Sequence, residues 1–82
     1  MERRDYIKAI KEHGRVFSPA KCRRVGRRCA WVEPALYEMN TKDLAEIAAA
    51  LVLRRAVDPE VWDRCQEINS EYWHLALVDA AA

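Results

Sequence analysis

Apolar residues recur along this chain at intervals of three and four, the signature of helices with one buried face. Tyr6, Ile7 and Ile10 share one face of residues 2–13, and Gly14 follows where such a helix would end. Ser18-Pro19 is a second start signal, because serine accepts from free backbone amides and proline suits the first helical position. From there the pattern predicts a helix to about Trp31, with Cys22, Val25 and Cys29 on its apolar side. After a short helical turn around residues 34–39, Asn40 or Thr41 opens a third helix on which Leu44, Ile47, Ala48 and Leu51 recur to about Ala56. Asp58-Pro59-Glu60 restarts the chain, and Val61, Cys65, Ile68, Tyr72 and Leu75 form the stripe of a last helix of about 18 residues, which Asn69-Ser70 is placed to bend. The predicted fold is all-α, with about four helices in one small domain.

A displaced copy of the pattern lies within it. Shifted by 22 positions, Cys22, Val25, Gly26 and Cys29 fall on Leu44, Ile47, Ala48 and Leu51; after three extra residues "VEPALYE" (32–38) falls on "VDPEVWD" (57–63). This divides the chain into an N-terminal helix (2–13), a truncated helical hairpin (18–39) and a full one (40–78), and repetition of this kind implies hairpins stacked solenoid-fashion. Two units are fewer than the three or so a continuous core needs, so neighbouring units or subunits are expected to complete it.

The stretch "MNTKDLAEIAAALVLRRAVDPEVWDRCQEI" (39–68) resembles a unit of the organellar RNA-binding helical repeats, the octotricopeptide, heptatricopeptide and FAST-kinase-like proteins. Such units run from a polar cap through Asp-Leu-Ala and an Ala-rich helix to an acid-Pro-x-apolar-aromatic start of a second helix. Here Leu51-Val52-Leu53 stands where the family favours a Trp-Ala-Leu-Ala type of core. The resemblance implies an α-solenoid that binds RNA, or that serves within a ribonucleoprotein such as an organellar ribosome, in the matrix of a mitochondrion or another organelle; without it, the cytoplasm is the expectation.

Charge sharpens the picture. The 82 residues carry a net charge of only +1, yet residues 1–32 hold ten Lys and Arg against three Asp and Glu, and residues 33–82 hold four against ten. A basic half suits a polyanionic partner; alternatively the two halves attract one another within the fold. The densest run is "KCRRVGRR" (21–28). At 100° per residue, and with Cys22 at zero, Arg23, Arg27, Arg24, Arg28 and Lys21 fall between about 100° and 260°, all away from the apolar side. If the helix reaches Trp31, the indole lies near 180°, among them. Guanidinium groups suit phosphates and an aromatic among them suits an unpaired base, so Lys21, Arg23, Arg24, Arg27, Arg28 and Trp31 are the candidate RNA-binding residues. The competing reading of such a face is simple solvation.

Other functions have less in the sequence behind them. The three cysteines include no C-x-x-C pair, His13 and His74 stand alone, and no Gly-rich phosphate loop is present, so neither metal, cofactor, small-molecule substrate nor enzymatic activity is expected. The odd number of cysteines and the absence of an apolar signal segment point to a reducing compartment. The longest apolar run, residues 47–53, is far below a membrane span. "TKDLAEIAAAL" resembles the first helix of a helix-turn-helix, but Val52 replaces the usual turn glycine, and acidic Asp58, Glu60 and Asp63 would face the DNA. The principal alternative is a small protein-protein adaptor or inhibitor of bacterial or phage type, with Tyr37, Trp62 and Trp73 as partner-binding anchors.

Overall fold

The computed structural model describes residues 2–25 and 31–81, with side chains as far as residue 78. Its described residues form five helices and a two-stranded sheet: α1 (Arg3–His13), β1 (Val16–Phe17), α2 (Pro19–Val25), β2 (Trp31–Val32), α3 (Glu33–Glu38), α4 (Thr41–Leu53) and α5 (Pro59–Ala81). The protein is thus mostly helical, as its periodicity predicts.

Local chemistry sets the helix starts. Ser18 Oγ accepts from the Lys21 amide at 3.2 Å ahead of α2, Asn40 Oδ1 accepts from the Asp43 amide at 2.8 Å ahead of α4, and Asp58 Oδ1 accepts from the Glu60 amide at 3.0 Å ahead of α5. Each satisfies a backbone donor that the first helical turn leaves without a partner. The end of α4 is made by Arg54 in the left-handed region (φ 54°), whose amide closes onto Ala50 and Leu51.

Three expectations are corrected. The chain is not purely helical, because Val16 and Phe17 pair in parallel with Trp31 and Val32, and the Trp31 amide donates to the Arg15 carbonyl at 2.8 Å. Residue 31 therefore belongs to a strand, not to the end of α2. Second, Val25 is 39% exposed, so only Cys22 of the predicted apolar side of α2 is buried among described residues; Gly26 and Cys29 lie outside them. Third, α5 is a continuous helix of 23 residues whose buried face is Val61, Cys65, Asn69, Trp73 and Ala76; Ile68 and Tyr72 are half-buried and Leu75 is exposed. The face is drawn to Asn69 by a backbone need elsewhere: its Oδ1 accepts from the buried Val32 amide at 2.8 Å.

The core joins Ile7 and Ile10 of α1, Cys22 of α2, Val32, Leu36 and Met39, Leu44 and Ile47 of α4, and Cys65 and Trp73 of α5. Packing runs α1 on α4 and α2 on α5, with α3 and α4 also against α5. The long last helix is the common support.

Candidate nucleic-acid interface

On the short α2, Cys22 faces inward and Lys21, Arg23 and Arg24 are exposed. The Lys21 ammonium lies 4.4 Å from the centre of the Phe17 ring, a cation–π contact that holds the first cation of the run against β1. No carboxylate among the described residues lies within ion-pair distance of Lys21, Arg23 or Arg24. Arg27 and Arg28, the remaining cations of the predicted site, lie outside the described residues.

Trp31 departs from its predicted role. It is 8% exposed and meets the Trp62 ring edge-on, with centroids 5.6 Å apart and planes at 76°. A ring enclosed in this way offers no face to a base, so Trp31 supports the core and is removed from the RNA-contacting set. The predicted partner anchors separate as well: Trp73 is 1% exposed and belongs to the core, whereas Trp62 (45%) and Tyr37 (55%) are exposed residues. Trp62 lines a shallow depression of about 390 Å³ with Val57 and Pro59.

Two carboxylates of the acidic half are tied down by pairing. Asp43 is buried, and Arg64 reaches it from α5 with two bonds, Nη2 to Oδ1 at 2.8 Å and Nε to Oδ2 at 3.1 Å. That guanidinium holds the Asp43 carboxyl below its ordinary range, against the opposing effect of burial. Glu46 accepts both Arg55 Nη atoms, at 2.7 and 2.8 Å, and the Asp58 amide at 2.9 Å, which together lower it to about 2. It thereby staples the connection between α4 and α5. Cys65 is pushed up to about 11, mainly by burial and further by the neighbouring Asp43 charge. Burial raises Cys22 too. In sequence Asp43 stands out only as part of the family-like motif; the signal for its pairing with Arg64 is a carboxylate one turn inside a capped helix with an arginine on the next helix.

Among described residues no three His, Cys, Asp or Glu side chains are grouped to hold a metal ion, and no helix is long and apolar enough to cross a membrane. The described residues form a small, mostly helical domain in which α2 presents Lys21, Arg23 and Arg24 to solvent. In comparisons with known proteins, no family model, no curated protein and no solved structure matches this chain.

Proposed function

We propose that this protein is a non-enzymatic RNA-binding subunit of a larger ribonucleoprotein, such as an organellar ribosome, and that α2 carries its phosphate contacts through Lys21, Arg23 and Arg24. The observation behind this reading is a contrast in pairing. Arg4, Lys11, Arg55 and Arg64 each meet a carboxylate, whereas the cations of α2 stand exposed with none in reach among described residues, three of them within four positions where Lys8, Lys42 and Arg54 are unpaired singly. Cations left without carboxylates suit an external polyanion, and arginine matches phosphate geometry with two parallel bonds. In sequence, Arg27 and Arg28 continue the run. Solenoid-like stacking on neighbouring units belongs to the same reading: Val52 and Leu53 at the end of α4, and Leu75 and Val78 towards the end of α5, are exposed apolar side chains that a neighbour would cover.

The test is replacement of Lys21, Arg23 and Arg24 together by alanine. Binding of a single-stranded oligoribonucleotide should weaken, and its log-log salt dependence should flatten by about 2, at about 0.7 per lost phosphate contact. Unchanged affinity and slope would favour the adaptor reading, which the exposed residues Trp62 and Tyr37 support.

A further inference from the structure

A second basic cluster lies apart from α2, where α1 meets α3. The two helices bound a cleft of about 520 Å³, within the range of small-ligand sites. Arg3, Arg4, Lys8 and Lys11 rim it, while Ile7 and Tyr37 supply apolar surface. Ile7 is buried, but Tyr37 is more than half exposed as a residue. Arg3 Nη2 donates to the Tyr37 carbonyl at 2.5 Å, which fixes the end of α3 against α1 and so sets the ring beside the cations. The other cations differ in how far they are committed. Arg4 is 3.0 Å from Glu2, the one carboxylate lining the cleft, in a pair so exposed that it costs little to open. Lys11 donates to Glu33 Oε1 at 2.8 Å from the rim. Lys8 is exposed, with no carboxylate within ion-pair distance among described residues. With Glu33 counted beside Lys11, four cations against two carboxylates leave a surplus of two positive charges around the exposed Tyr37.

We propose that this cleft binds one unpaired nucleotide of single-stranded RNA, with the base stacked on Tyr37 and the flanking phosphates held by Lys8 and Arg4. The inference rests on the RNA reading for its ligand class, but it uses none of the residues of α2. A positive rim around an aromatic face is the arrangement that unpaired strands need, because a duplex hides its base faces in its own stack. An acidic peptide would satisfy the cations and leave the ring without a planar partner. An anionic bilayer would call for exposed apolar residues between the cations of α1, and the exposed positions of α1 are charged or His13.

The experiment uses the full chain and a fluorescently labelled twelve-nucleotide oligouridylate, titrated at several salt concentrations. Tyr37→Ala should weaken binding about tenfold with an unchanged salt slope, since stacking releases no counterions, and Tyr37→Phe should restore it. Lys8→Ala should flatten the slope by about 0.7. Glu33→Gln, which frees Lys11, should steepen it by up to the same amount. Far-ultraviolet circular dichroism of each variant checks that the helices persist; all three side chains are at the surface. If Tyr37→Ala binds like the wild type while the triple α2 variant does not, the cleft is wrong and the RNA reading stands. If the wild type does not bind the oligonucleotide, both fall. Displacement of the oligonucleotide by an equal concentration of oligoglutamate or of duplex would make the cleft a general anion site and overturn the proposal.

Discussion

Trp31 and Trp62 meet edge to face, their ring centres 5.6 Å apart, and this pair fastens the second strand to the first turn of α5. The contact follows from residue 31 pairing with β1 instead of continuing a helix. Aromatic pairs of this geometry contribute about 0.5 to 1.5 kcal/mol beyond the area they bury. Trp31→Ala is therefore expected to cost about 3 kcal/mol or more of folding stability, as large-to-small changes at buried tryptophans do, and Trp31→Phe much less. Urea unfolding followed by circular dichroism measures both. The folded fraction of either variant should bind RNA like the wild type; selective loss of RNA affinity without loss of stability would return the indole to the interface.

How far the sequence disclosed this arrangement depended on how local each feature was. The starts of α2, α4 and α5 were legible, because Ser18, Asn40 and Asp58 act on amides two or three residues away. The strand pair was not: two residues on each side carry no readable period, and their pairing spans a separation of 15 positions. The face of α5 was misplaced at Ile68 for a related reason, since the preference for Asn69 arises from the Val32 amide 37 positions away. Of the candidate site, the exposure of Lys21, Arg23 and Arg24 followed from the wheel, whereas Trp31 failed because residue 31 pairs with β1. The cations of α1 sat at spacings that put Arg4, Lys8 and Lys11 on one side, but only the tertiary fold sets Tyr37 beside them.

Acid should unfold the protein through Asp43 and Glu46. Both carboxyls are held below their ordinary range in the fold, by Arg64 and Arg55 respectively, and Glu46 reaches about 2. In the unfolded chain they regain protons at about pH 4, so the stability they contribute is present above that pH and is lost as pH falls from about 4 towards 2. At the other extreme Cys65 stays protonated in the fold up to about 11, so its contribution is complete below the ordinary thiol value and is lost as pH rises from about 9 to 11. Thermal melts across pH 2 to 11 should show a plateau between these limits. A transition temperature that does not move between pH 5 and 2.5 would contradict the two carboxylate pairings.

The thiols give a kinetic measure of the same core. Cys22 on α2 and Cys65 on α5 are both fully buried, and burial raises both above the ordinary thiol range. Since the thiolate is the reactive form, a disulfide-exchange reagent should modify them slowly in the native protein and rapidly in urea. Rapid native labelling of Cys22, identified by peptide mass, would show that α2 does not turn this face to the core and would undo the orientation of Lys21, Arg23 and Arg24 along with it.

Gly14 ends α1 for reasons of space. Its backbone is extended (φ −114°, ψ 177°), a conformation open to any residue, so no left-handed turn demands glycine here. A Cβ at this position would instead meet the Ile10 carbonyl oxygen at 2.9 Å and Leu51 Cδ1 of α4 at 3.0 Å. The first neighbour is backbone and is already bound to the Gly14 amide at 2.7 Å, so it cannot give way without loosening the last turn of α1. Gly14→Ala should consequently push α1 away from α4 and destabilise the protein by about 1 to 2 kcal/mol. That figure is the cost of overpacking less the few tenths to 1 kcal/mol gained by restricting the unfolded chain. The melting temperature should fall by several degrees, at about 4 to 8 °C per kcal/mol for a domain of this size. Adding Leu51→Ala separates the two contacts: it removes the side-chain clash and leaves the carbonyl one, so Gly14→Ala should cost less in that background but still more than zero. A Gly14→Ala protein as stable as the wild type would mean that α1 and α4 are not held this closely.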